Sequence, residues 1–166
     1  MDINRAIEIL KTAILMERQG KAFYSVVASQ TQSSAVKDVF TLMAAEEDGH
    51  IDFLTRQFKH FAQRHEFLSK DELGLPAAVD REILTQEVCK QITAASYEAA
   101  AISAAIDMEN RSVMVYAERA RETTDIHEQE LYEFLADWEK EHTRILTDMN
   151  EQLMEEVWND NQFWPF

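Results

Sequence analysis

The sequence predicts an all-α protein, a four-helix bundle, and three observations carry that prediction. Three glycines and two prolines in 166 residues supply too few breaks for an all-β fold, a Rossmann unit or a phosphate-binding loop. Long segments carry apolar residues at spacings of three and four, the mark of helices that bury one face. The two halves of the chain repeat that pattern in register, so the helices form two pseudo-symmetric pairs.

Helix A is expected over about 3–30, with Ile3, Ile7, Leu10, Ile14, Tyr24 and Ala28 on its stripe. Ser33-Ser34 offers a cap for helix B, about 34–66, whose stripe runs through Val36, Phe40, Met43, Leu54 and Phe61. A long B–C connection follows at about 67–79. It holds the strong break Gly74-Leu75-Pro76, and Ser69 with Glu72 matches a capping box that predicts a short helical turn. Asp80 can cap helix C, about 80–122, striped by Val88, Ile92, Ala95, Ala99, Ile102, Ile106, Val113, Tyr116 and Ala120. Asp125 and Glu128 form a capping-box pattern before helix D, about 125–157, with Tyr132, Leu135, Leu146, Met149 and Leu153. The bundle is expected over 1–158 and an aromatic tail over 159–166.

Composition narrows the function. Against 16 basic residues stand 31 acidic ones, a net charge of −15. Such a surface disfavours nucleic acid and anionic membrane as partners. The one cysteine, Cys89, excludes a disulfide framework and any cysteine-only metal cluster. No apolar run approaches the roughly 18 residues of a membrane span. The opening Met1-Asp2-Ile3-Asn4-Arg5 lacks the apolar segment of a signal peptide, so a cytoplasmic location is expected.

Each apolar stripe is interrupted at its middle by polar residues: Glu17 in A, Glu47 and His50 in B, Glu109 in C, Glu139 and His142 in D. These six obey the repeat. A constant offset of 92 carries 17 to 109, 47 to 139 and 50 to 142, and it also matches Tyr24 with Tyr116. Four carboxylates in a bundle core would repel one another and lose their hydration, so a cation is expected among them. On a helix, residues three apart share a side, and each Glu-x-x-His pair can reach one metal. Two divalent ions would cancel the four charges. Glu47 and Glu139, each next to its own His, are expected to bridge them. A mixed nitrogen and oxygen shell suits iron or manganese, and zinc can occupy it too.

The segments Met16-Glu17-x-x-Gly20-x-x-Phe23-Tyr24, Glu46-Glu47-x-x-His50, Met108-Glu109-Asn110 with Tyr116, and Glu139-x-x-His142 resemble the rubrerythrin and ferritin-like superfamily. The resemblance covers about 3–155. It implies a ferritin-like bundle holding two iron ions that react with hydrogen peroxide or dioxygen, as in rubrerythrin-like peroxide reduction and oxidative-stress defence. Rubrerythrins often carry a four-cysteine rubredoxin-like tail; a chain with one cysteine holds none, so an external electron donor is implied. They also carry a further Glu three residues after the helix C ligand, where Ser112 stands here. That departure leaves the simpler ligand set of bacterioferritin-type centres. It keeps open a ferroxidase or iron-handling protein, an oxygenase, and a non-enzymatic bundle with structural Zn²⁺.

Other residues divide between two readings each. Tyr24 and Tyr116 lie seven residues past a ligand Glu, on the same face. They are expected either as core aromatics or, as candidate catalytic residues, to hydrogen-bond a ligand carboxylate and offer an oxidisable phenol. Gly20 and Gly49 mark close helix packing or an opening for oxidant. Glu46, off the stripe and opposite Trp138 in the repeat, is expected at the surface or just behind the ligands. His60, His65 and His127 are expected on solvated faces, and Cys89 as a small buried hydrophobe. The tail Trp158–Phe166, with the overhanging start of helix C, predicts a homodimer or larger assembly.

Overall fold

The computed structural model describes residues 3–74 and 97–160, with side chains as far as Glu155. Among the described residues every regular element is helical: α1 (Ile3–Gln30), α2 (Ser34–Arg64), α3 (Lys70–Leu73), α4 (Tyr97–Glu122) and α5 (Ile126–Asp160). None of these helices is long and apolar enough to cross a membrane. The expected helix A coincides with α1. The start of helix C, with Asp80, Val88, Cys89, Ile92 and Ala95, lies outside the described residues. So do the side chains of the tail, and with them the features that predicted an oligomer.

Local chemistry sets the ends. Ser33 caps α2, its side chain accepting from Val36 N at 3.2 Å. The helix stops at Arg64, short of the expected 66, because His65 turns left-handed (φ 59°) and its N–H closes on Phe61 O. Ser69 and Glu72 do form the capping box of α3, which ends at Gly74 with φ 60°. Asp125 Oδ1 accepts from the backbone of His127 and Glu128 at 3.0 Å each. Glu128 does not complete the expected box. Its carboxylate turns inward and accepts from Arg119 (2.8 and 2.5 Å) and from Thr123. The helix α5 runs on to Asp160, past the expected end at about 157, there being no glycine or proline between Ile126 and Asp160 to stop it.

Short links fold α1 along α2 and α4 along α5, each pair antiparallel. Side-chain contacts fix how the pairs meet. Tyr24 reaches Glu109 while Tyr116 reaches Glu17, so α1 and α4 are antiparallel. Phe53 meets Phe134 and Glu46 meets His142, so α2 and α5 are antiparallel too. It follows that α2 and α4 run the same way, as the second and third helices do in ferritin-like bundles. The residues just after α2 are clamped back to it: Gln57 Oε1 accepts from Leu68 N, and Arg56 donates to Leu73 O.

The core has two apolar clusters. One holds Val36, Phe40, Met43, Ile102, Leu146 and Met149; the other holds Leu10, Leu54, Phe61, Leu73, Leu131 and Leu135. The six polar stripe residues lie between them along the chain and are themselves buried. The stripes expected on α2 and α5 are buried throughout. On α1 and α4 the inner face is rotated from the expected one. Ala6, Ala13 and Ala105 are buried, whereas Ile3 is exposed and Ile7, Ile14, Ile106 and Val113 are half-buried. Small residues at these positions let the helices approach, as the buried Ala28 and Ala120 of the expected stripes also do.

The Arg119–Glu128 pair ties the last turn of α4 to the first of α5, with Glu128 fully buried. Removing one member leaves a buried charge unpaired. Arg119→Ala should therefore lower unfolding free energy by about 3–5 kcal/mol. The paired replacement Arg119→Met with Glu128→Leu should recover most of that loss. Urea unfolding of both variants checks this.

Candidate metal centre

Four helices each contribute from their midpoints. The helical offset of three places Glu47 beside His50 on α2, and Glu139 beside His142 on α5. Glu17 and Glu109 enter from α1 and α4. All six are at most 2% exposed. Nδ1 of His50 lies 2.9 Å from Glu17 Oε2, 3.1 Å from Glu139 Oε1 and 3.5 Å from Glu47 Oε2. Nδ1 of His142 lies 3.1 Å from Glu139 Oε2, 3.3 Å from Glu109 Oε1 and 3.7 Å from Glu47 Oε1. The two rings are 6.1 Å apart. The structure thus brings all six sequence-predicted residues together, in two overlapping groups. Glu17, Glu47, His50 and Glu139 form one; Glu47, Glu109, Glu139 and His142 form the other. Within each, ligand atoms lie within 4.8 Å of one another, and Glu47 and Glu139 belong to both.

The tyrosines reach across the bundle. Tyr24 OH donates to Glu109 Oε1 and Tyr116 OH to Glu17 Oε1. Each phenol holds the carboxylate of the opposite half, not the one on its own helix. Burial first, and then the charge of that carboxylate, pushes both phenols well above their ordinary range, so they remain donors. Tyr116 also stacks on Tyr132. Gly20 gives α1 a close approach to a carboxylate: a Cβ there would stand 3.2 Å from Glu47 Cδ and Oε1. Gly49 is different, since a Cβ would meet Phe53 at an ordinary 3.9 Å. The close-packing reading holds for Gly20 alone of these two.

Of its two expected places Glu46 takes the one behind the centre, and Arg119 gains a role that sequence patterns did not assign. Glu46 reaches His142 Nε2 at 2.8 Å, joining α2 to α5 behind the ring. The doubled Glu46-Glu47 before x-x-His50 was the available signal, but nothing in it names a partner 96 residues away. Arg119 and Glu128 form the buried pair already described; an arginine on the inner face of α4 was its trace. His65 is exposed, while His60 and His127 are half-buried and stand apart from the centre.

The electrostatics favour a cation among these six residues. Burial, then the charge of Glu139, raises Glu109 from 4.5 to about 8. The same two causes raise Glu47. Burial alone would raise Glu139, but the two flanking rings outweigh it and hold this carboxylate well below its usual range. Burial would lower both histidines. Glu139 for His50, and Glu109 with Glu139 for His142, overcome it and raise them. Protons thus take up part of the charge in the metal-free protein. Even so, both oxygens of Glu139 and Nδ1 of His142 are buried without a hydrogen bond of proper geometry. Buried polar atoms in native proteins are rarely left so. A donor set of carboxylates and imidazole nitrogens, with its inward atoms unsatisfied, fits metal ions.

An all-α bundle of two helix pairs around four carboxylates and two imidazoles defines the ferritin-like class of metal-binding proteins. The family model described as Rubrerythrin matches residues 8–150, and the chain belongs to the rubrerythrin family. No curated protein and no solved structure matches it.

The raised groups set the pH dependence of the metal-free fold. Stability tied to Glu109 is complete below about pH 4.5 and is lost as pH climbs through about 8. The raised histidines act in the same direction. Glu139, being depressed, loses its contribution only at acid pH. Melting of metal-free protein should therefore occur at falling temperature from pH 6 to pH 9. Calorimetric scans in the presence of a chelator check the sign.

Proposed function

We propose that the protein is a non-haem di-iron oxidoreductase that reduces hydrogen peroxide or dioxygen. The observation carrying this reading is the pair of overlapping ligand groups that share Glu47 and Glu139. Glu17 and His50 would complete one ion's shell, and Glu109 and His142 the other's. Bound iron would supply the electrons for oxidant reduction, two per pair of ions, and an external donor would restore them. The protein's own part is to hold the donors. Tyr24 and Tyr116 each fix one oxygen of a terminal carboxylate. The two apolar clusters keep bulk water from the centre. Manganese or zinc fits the same donors.

Ser112 supports a second reading. It is buried one turn past Glu109, where rubrerythrins place a further carboxylate. Without that Glu the shell suits ferroxidase chemistry, with Fe²⁺ as substrate.

Anaerobic Fe²⁺ titration, followed by mixing with each oxidant, separates these readings. Two irons per chain and faster oxidation by peroxide than by dioxygen are expected. A dioxygen rate equal to or above the peroxide rate would favour the ferroxidase. Two bound Zn²⁺ with no oxidant turnover by the iron form would favour a structural centre.

Glu47→Ala and Glu139→Ala should each fail to retain two irons, as metal analysis of the purified variants would show. Gly20→Ala is a subtler probe. Alanine favours a helix by about 1 kcal/mol over glycine, so folding should hold. Its methyl group would press on the Glu47 carboxylate, so iron retention should fall while helical content does not.

A further inference from the structure

We propose that Glu46 is a positioning residue that makes the two halves of the centre unequal, so that the Glu109–His142 side binds its metal first and more tightly. This rests on the reading of the six residues as ligands.

The repeat matches nearly everything that touches the ligands. Each side has one terminal Glu held by a tyrosine from the opposite half, one His, and the same two shared carboxylates. Behind the rings the match fails, because the repeat partner of Glu46 is Trp138. Nε2 of His142 donates to Glu46 Oε2 at 2.8 Å, and the Glu46 side chain is 8% exposed. Nε2 of His50 is buried with no hydrogen-bond partner. Its ring meets the edge of Trp138, with centroids 5.2 Å apart and planes at 88°. Phe134 lies against Trp138, and Phe53 against Phe134, so that side is walled by aromatics.

The difference acts through the tautomer. A metal needs the lone pair of Nδ1, the nitrogen that faces the carboxylates on both sides. A carboxylate behind Nε2 holds the ring hydrogen there, leaves Nδ1 bare, fixes the ring plane and makes the imidazole a stronger donor. An indole has no acceptor to offer. On the His50 side a hydrogen on Nε2 would be buried and unbonded, which costs free energy. A hydrogen on Nδ1 has Glu17 at 2.9 Å to accept it. The neutral ring of His50 therefore has an acceptor only on its Nδ1 side, which favours the tautomer that blocks metal, whereas that of His142 has Glu46 behind it to hold the hydrogen at Nε2 and free Nδ1.

The test adds Zn²⁺ to metal-free protein. Calorimetry counts the ions and gives each affinity, while NMR of the labelled histidine rings shows which ring is ligated first. In the wild-type protein two ions should bind, with His142 shifting during the first equivalent and His50 during the second. In Glu46→Ala the tighter step should weaken about 10- to 100-fold, the range for losing such a partner, and the order should vanish. Glu46→Gln, whose amide oxygen still accepts from Nε2, should keep part of the order. Trp138→Glu should tighten the second step. The proposal is overturned if His50 fills first or together with His142 in the wild-type protein. It is also overturned if Glu46→Ala, or Glu46→Gln should the alanine variant not fold, leaves both steps and their order as they were with Gln weaker than neither. Fewer than two ions in the wild-type protein would instead remove the ligand reading itself.

Discussion

Four carboxylates buried at the middle of an apolar bundle are the constraint on which the rest of the structure depends. Each is at most 2% exposed, and ionised carboxylates out of water repel one another strongly. The fold accommodates them in three ways at once. Two histidines stand among them, burial and mutual repulsion push Glu47 and Glu109 toward their protonated forms, and tyrosines donate to Glu17 and Glu109. None of these satisfies both oxygens of Glu139, which lies at the junction of the two ligand groups. The apolar clusters of the core hold the helices together against this strain on the centre. Divalent ions relieve it by replacing protons with charges that carboxylates and imidazoles can bind directly.

The spacing of the helices follows from the same requirement. The members of each pair, α1 with α2 and α4 with α5, approach closely along their lengths, while α1 and α4 approach each other much less. Long polar side chains span the distance between the pairs. Tyr24 to Glu109 and Tyr116 to Glu17 cross from α1 to α4, and Glu46 to His142 and His50 to Glu139 cross from α2 to α5. The centre is therefore both the chemical site and a large part of what joins the two halves. That coupling explains why metal should change stability as well as reactivity.

The cluster of four carboxylates and two imidazoles was legible in the sequence because it breaks a strong rule twice at one offset. A Glu on an apolar stripe is anomalous; four of them related by the repeat, two followed by His, leave little else to explain. The fold class was legible from the same stripes. Partners across the bundle were not. Tyr24 was traceable to a carboxylate, yet its position on the face of Glu17 gave no reason to choose Glu109, because register between helices is set by packing of the whole core. Glu46 was left between the surface and a place just behind the centre, with no partner named, for the same cause. Ala13 and Ala105 were legible as core through the repeat, but the repeat matched Ile14 and Ile106 equally and could not tell that the alanines face inward. Glu128 matched a capping pattern that the local sequence satisfies, but the buried Arg119 guanidinium competes for its carboxylate and wins.

Small residues one turn past the terminal ligands complete the argument. Glycine inside a helix costs about 1 kcal/mol relative to alanine, so Gly20 needs a reason to be there. The nearness of Glu47 supplies it, because the carboxylate that belongs to both groups lies against α1 at this point. The repeat partner of Gly20 is Ser112, also small and also buried. The two halves thus agree in keeping bulk out of this position, one turn beyond Glu17 and one beyond Glu109. A carboxylate at 112, such as rubrerythrins carry, would bring a seventh charged donor to the Glu109 side. This chain has Ser112 there, and its two halves differ instead behind the rings, where Glu46 meets His142 and Trp138 meets His50.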